Sequence, residues 1–326
     1  MGLAINVRRI VIASISAAVF VTAALAQPYP SHPITVIVGN AAGNASDILA
    51  RTVTEEVKNA LQQSFVTINR PGANGSIAVE SFRRARPDGY TLLFASMTMA
   101  AVNPHVQPDA RYNSAEDFEP IARFVQQPLI WTVAKGAPWR SLRDLVEQAR
   151  REPDKLRVAR LGYGGSTHLV STALMAKQNI QLSVIPFNTS SDAFSALKRG
   201  DVEIWVDLPQ PLLPRIRSGD LTPLAVTSPT RLKILPDVPT WVELGLMDTP
   251  LTAWYVIMAP KGTPKEIVDL LNTEFNRAVN SPRLRQQFEE VGGIVQTVSA
   301  DELRRFMREE HTRWGQIVKS ANLKPE

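Results

Sequence analysis

Apolar positions along this chain fall into short runs, separated by loops of small and polar residues and by stretches of helical period. The runs at 34–38, 64–69, 91–95, 121–125, 129–134, 156–159, 182–187, 202–206, 224–227 and 254–259 are mostly uninterrupted. That is the signature of strands buried on both faces. Between the first two, Leu49, Val53, Val57 and Leu61 recur at i+4 and predict a helix. Further helices are predicted at 168–177 and 191–199. Ser141 with Asp144 and Ser299 with Glu302 read as capping boxes, and Thr263 with Pro264 and Glu266 reads as an N-cap, first position and box closure. Strand–loop–helix alternation of this kind predicts an α/β architecture with mostly parallel sheets.

In such sheets ligands gather at the carboxyl ends of strands, where loops lead into helices. The first such loop holds Asn40, Ala41, Ala42, Gly43, Asn44, Ala45, Ser46 and Asp47. Small residues let a ligand approach the backbone, and free N–H groups at the helix start favour an anion. Asn44 adds a side-chain amide and is expected to line the cleft. Ser46 and Asp47 also suit an N-cap and a first-turn charge. The second loop offers Ser96 and Thr98 hydroxyls, with Met97 suited to packing. The third follows Arg160 and brings Gly164, Gly165, Ser166 and His168, the last suited to orienting by hydrogen bonds. The fourth contains Phe187, and Asp207 completes the set, as a ligand contact or as the partner of Arg160.

Arg8 and Arg9 precede an uncharged, largely apolar stretch that ends at Ala24-Leu25-Ala26. This is the layout of a signal peptide occupying residues 1–26 and cleaved after Ala26, which directs the chain to the periplasm by the general or the twin-arginine route. The formal charge is +5, two units of it from Arg8 and Arg9, and the basic residues are scattered. No nucleic-acid face is therefore expected. With no cysteine, the fold must rely on its cores. Phosphate-loop and nucleophile-elbow motifs are absent, and Thr167 stands where a dinucleotide fingerprint begun by Gly162 and Gly164 needs its third glycine. The four histidines have no metal-ligand spacing. An enzyme, a metal and a cofactor are all unexpected.

The strings "YPSHPITVIV", "SDILAR", "INRPGANGSIA", "ARPDGYTLLFAS", "NPHV", "GGSTHL", "LAVTSPTRLKILPDVPTWVELGL" and "MAPKGTPKEIVDLLN" run in order through nearly the whole mature chain. In them the chain resembles the substrate-binding proteins of tripartite tricarboxylate transporters, the Bug family. The resemblance implies a two-lobed periplasmic-binding-protein fold of the Venus flytrap, type II-like kind. Domain 1 would comprise 27–123 and 229–326, domain 2 124–228. It also implies a monomer that closes on a small organic acid, held by backbone groups and ordered water. The acid would be delivered to a two-subunit membrane permease or, alternatively, reported to a sensor kinase.

The chain departs from the family pattern in its loops. Gly43-Asn44-Ala45 replaces a glycine triplet, Arg160 and Gly165 stand at usual serines, and Pro186-Phe187-Asn188-Thr189 replaces Pro-Tyr-Lys-Gly. A cleft-facing Arg160 would favour a dicarboxylate over its monocarboxylate analogue.

Overall fold

The computed structural model describes residues 29–107, 110–161 and 164–320. The expected signal peptide and its cleavage site lie outside them, as do Gly162 and Tyr163 of the third loop. The strands form two sheets. The first comprises β1 (Ile34–Val38), β2 (Phe65–Asn69), β3 (Thr91–Ser96), β4 (Phe118–Pro128), β10 (Thr252–Pro260) and β11 (Ile294–Val295), in the order β11-β4-β10-β3-β1-β2. The second comprises β5 (Ile130–Ala134), β6 (Arg157–Leu161), β7 (Ser183–Phe187), β8 (Ile204–Asp207) and β9 (Leu221–Val226), in the order β7-β6-β8-β5-β9.

In the first sheet β1 lies parallel between β2 and β3, and β10 runs antiparallel between β3 and β4. The helix Ala45–Leu61 sets Ala50, Val53 and Val57 against Ile34, Val36 and Val38 of β1. Alternation turns Ile37 to the other face, where Ala78, Val79 and Phe82 of the helix Ser76–Phe82 cover it. Burial on both faces is why β1 reads as an unbroken apolar run. In the second sheet β6 is parallel to β7 and β8, while β5 is antiparallel to β8 and β9. The helices Ser166–Gln178 and Ser190–Arg199 cover its opposite faces. This is the two-lobed periplasmic-binding-protein architecture that the resemblance implied.

The chain passes from the first sheet to the second between Pro128 and Ile130. There Leu129 donates its N–H to the Thr227 hydroxyl at 2.8 Å and accepts from the Thr227 N–H at 3.0 Å, so the crossing segments are bonded side by side. The expected boundary at 123/124 lies within β4, which pairs with β10 from Phe118 to Pro128 with register shifts between Trp254 and Val256 and between Ile257 and Met258. Within residues 229–251, the stretch Pro239–Trp241 bonds to the end of β9. Val226 N–H donates to Pro239, Trp241 N–H donates to Val226, and Leu232 and Val238 join the core of that lobe. The capping boxes expected at Ser141/Asp144 and Ser299/Glu302 both form. Thr263 is not the cap of its helix. Its hydroxyl donates to the Pro260 carbonyl, and the helix begins at Lys265 after Pro264.

Candidate functional site

A cleft with a volume of about 470 Å³ opens at the carboxyl ends of β1, β2 and β3. That size suits a small-molecule site. Three segments of the first lobe line it: Gly39 to Ala41 after β1, residues 71–75 after β2, and Ser96, Thr98 and Met99 after β3. Gly165 faces them from the second lobe. No side chain among these described lining residues is charged, so the wall is built from backbone, hydroxyls, amides and one thioether.

Each segment has a local cause. After β1, the buried Asp47 carboxylate accepts from the Gly43 N–H at 2.9 Å, from Arg51 Nε at 3.0 Å and from Asn69 Nδ2 at 2.9 Å. Burial alone would raise this carboxyl, but the bonds from Arg51, Gly43 and Asn69 outweigh it and hold the group below its ordinary range. Asn69 Nδ2 also donates to the Asn40 carbonyl, which fixes the loop at the cleft edge. Asn44 Oδ1 accepts from the Ser46 N–H as the helix N-cap. The Asn44 acceptor is thus engaged in capping, and Ala42, Gly43, Asn44, Ser46 and Asp47 lie outside the wall of this cavity. Asn40 and Ala41 line it.

The segment after β2 was not singled out from the sequence, yet it supplies five lining residues. Gly72, Ala73, Asn74 and Gly75 all have positive φ, at 124°, 45°, 50° and 92°. Gly72, with ψ at 152°, sits in a region open essentially to glycine alone. The signal was present in "RPGANG", whose Pro-Gly and Asn-Gly pairs mark turns. The Met99 side chain fills the space that a Cβ on Gly75 or Gly39 would need, at 2.6 Å and 2.8 Å from its atoms. Met97, suited to packing, is buried in the core.

After β3 the chain makes a π-helical turn, Thr98–Val102, closed by a hydrogen bond from the Asn103 N–H to the Thr98 carbonyl. Such turns recur at functional sites. The Thr98 hydroxyl donates across the cleft to the Gly164 carbonyl at 3.3 Å. Gly164 has φ 65°, and its N–H donates to His168 Nδ1 at 3.1 Å. Burial pushes the His168 imidazole down to about 4, and the charge of Arg160 adds to the shift. His168 is therefore neutral near pH 7 and acts as an acceptor. Alternation along β6 puts Arg160 on the face of Val158, which the helix bearing His168 covers.

Ser166 opens that helix. Phe187 ends β7 and packs against the core of the second lobe. Asp207 ends β8, where it is buried, accepts from Ser190 Oγ at 2.9 Å and from the Leu208 N–H at 2.7 Å, and is raised by burial to about 6. Neither Phe187 nor Asp207 is in the cavity wall. Among the described residues there is no cluster of His, Cys, Asp or Glu able to hold a metal, and no helix long and apolar enough to cross a membrane.

The family model described as tripartite tricarboxylate transporter family receptor matches residues 49–323. BugT of Bordetella pertussis is 31% identical over 309 residues, covering 93% of this chain and 95% of that one. A Rhodopseudomonas palustris protein solved with adipate superposes with a TM-score of 0.78 at 29% identity, over 91% of this chain and 100% of that one. MatC from the same species, solved with bound malate, gives 0.74 at 28% identity, over 89% and 100%. By its family match, its Bug-named relative and its two-lobed periplasmic-binding-protein fold, the chain belongs to the tripartite tricarboxylate transporter receptor family of solute-binding proteins.

Proposed function

We propose that this protein is a periplasmic receptor that captures a small organic dicarboxylate between its lobes and hands it to a two-subunit membrane permease. The observation that carries this reading is the run of positive-φ residues from Gly72 to Gly75 in the wall of an uncharged cleft. The Gly75 N–H closes the turn onto the Gly72 carbonyl, and successive N–H groups such as those of Gly72 and Ala73 in a turn of this kind make a concavity for an anion. A carboxylate entering such a site meets fixed dipoles and no opposing carboxylate on the lining residues. The malate and adipate found in two relatives are both dicarboxylates, which supports the ligand class.

A thermal-shift screen of C4 to C6 mono- and dicarboxylates tests it. A ligand at a hundredfold excess over its Kd stabilises the folded state by about 2.7 kcal/mol, a shift of several degrees. Stabilisation by at least one dicarboxylate is expected. Uptake of that acid, labelled, should then fall in cells that lack the gene. A melting curve indifferent to every acid contradicts the ligand class, and undiminished uptake contradicts the permease.

A further inference from the structure

We infer that Asn103 is a positioning residue for ligand capture: from beneath the cleft it holds the turn at residues 72–75 in its binding geometry and in register with the wall after β3. This rests on the cleft being the carboxylate site. Ala73 and Asn74 occupy the left-handed region without being glycines, a conformation that persists only when its surroundings impose it. The surroundings here are specific. Asn103 Nδ2 donates to the Asn74 carbonyl at 3.0 Å, and Gln107 Nε2 donates to the Ala73 carbonyl at 3.0 Å. The Ser76 hydroxyl donates to Gln107 Oε1 and lies 3.4 Å from Asn103 Nδ2.

Asn103 is 2% exposed and is not itself a cavity-lining residue, so it acts through the turn. Its backbone is equally engaged, because its N–H closes the π-helical turn onto the Thr98 carbonyl. One residue thereby links two loops of the first lobe that lie 29 positions apart along the chain. The Thr98 hydroxyl reaches on to Gly164 of the second lobe. Without the Asn103 amide, the Asn74 carbonyl loses its buried donor and the left-handed pair relaxes toward ordinary backbone. A turn that is competent in only a tenth of molecules raises the apparent Kd about tenfold.

The test compares Asn103→Ala, Gln107→Ala and the double variant Asn103→Ala/Ala73→Gly with the wild type. Two quantities are read in the full mature chain: the Kd for malate and adipate by titration, and amide hydrogen exchange of the 71–77 segment without ligand. Asn103→Ala should weaken binding about tenfold and speed exchange in that segment. The smaller Gln107→Ala change should weaken binding about two- to threefold and serves if Asn103→Ala does not fold. Glycine at 73 lowers the strain of the left-handed turn, so the double variant should regain about two- to fivefold of the lost affinity. A purely structural asparagine would not be rescued in this way. Unchanged affinity in folded variants, or faster exchange with no loss of affinity, overturns the inference. If the wild type itself binds no acid, the carboxylate reading fails, while unaltered exchange in Asn103→Ala would separately overturn the positioning role.

Discussion

Thr98 Oγ1 and the Gly164 carbonyl oxygen lie 3.3 Å apart, and each belongs to a different lobe. The contact is longer than the usual hydroxyl–oxygen hydrogen bond, yet it joins the two sides of the cleft. An interaction across the cleft contributes to ligand affinity if the lobes hold that arrangement when loaded. Thr98→Val keeps the shape and removes the donor. It should weaken carboxylate binding by about 0.5–1.5 kcal/mol with little change in melting temperature. Titration checks this, and an unchanged Kd would show the contact to be incidental.

The Asp47 carboxylate anchors the first loop through its bonds to Gly43, Arg51 and Asn69. In Asp47→Asn an amide would face donors from Arg51 and Asn69, leaving buried polar atoms mismatched. The expected cost is about 1–3 kcal/mol in urea denaturation. Little of that is the ion pair itself, because the Arg51 side chain is 49% exposed. A variant as stable as the wild type would contradict the anchoring role.

His168 and Asp207 give the second lobe opposite responses to acid. The imidazole ordinarily titrates at 6.5 and is depressed to about 4 by burial and by Arg160, so its contribution to stability is complete above pH 6.5 and is lost as the pH falls toward 4. Burial raises Asp207 from 3.8 to about 6, so its contribution is complete below pH 3.8 and is lost as the pH rises through 6. His168→Asn keeps an acceptor for the Gly164 N–H and should flatten the loss of stability between pH 6.5 and 4. Asp207→Asn should gain on the wild type as the pH rises from 4 to 7. Each effect has a limiting slope of about 1.4 kcal/mol per pH unit, readable in urea melts across that range. Profiles parallel to the wild type in both variants would rule out these shifts.

Arg160 is predicted to favour a second, distal carboxylate on the ligand. Arg160 is outside the cavity wall, on the face of β6 that the helix bearing His168 covers, and its charge adds to the lowering of that imidazole. Arg160→Ala titrated against matched acids should lose about 1.5–3 kcal/mol for the diacid and much less for the monoacid. Equal losses for the two would make Arg160 a structural residue.

Much of this architecture could be read from the sequence because buried parallel strands announce themselves. β1 and β7 fall at or within a residue of their expected limits. β11, with two residues, carries too little pattern to register, and the helix Pro209–Arg217 is disguised by its prolines. The break between β4 and β5 is marked in the sequence by Gln126, Gln127 and Pro128, which separate two apolar runs. The cleft was half visible. Ser96, Thr98 and Gly165 follow from strand ends, and Asn40 and Ala41 from the small-residue loop. Asn44 reads two ways in sequence, because an asparagine before a helix serves as a cap as readily as it serves a ligand, and here it caps. The Asn103–Asn74 bond was invisible, since it joins segments that only the folded sheet brings together.

The most direct measurement is a crystal structure of the mature chain with the dicarboxylate that binds it most tightly. A carboxylate oxygen should lie about 3 Å from the backbone N–H groups of Gly72 or Ala73 in the turn at residues 72–75, with Thr98 and Gly165 closing over the acid from the two lobes. An acid lodged elsewhere, such as the pocket between Arg83 and Lys261 at the opposite ends of β4 and β10, would contradict the cleft as the receptor site. So would a cleft left empty at saturating acid.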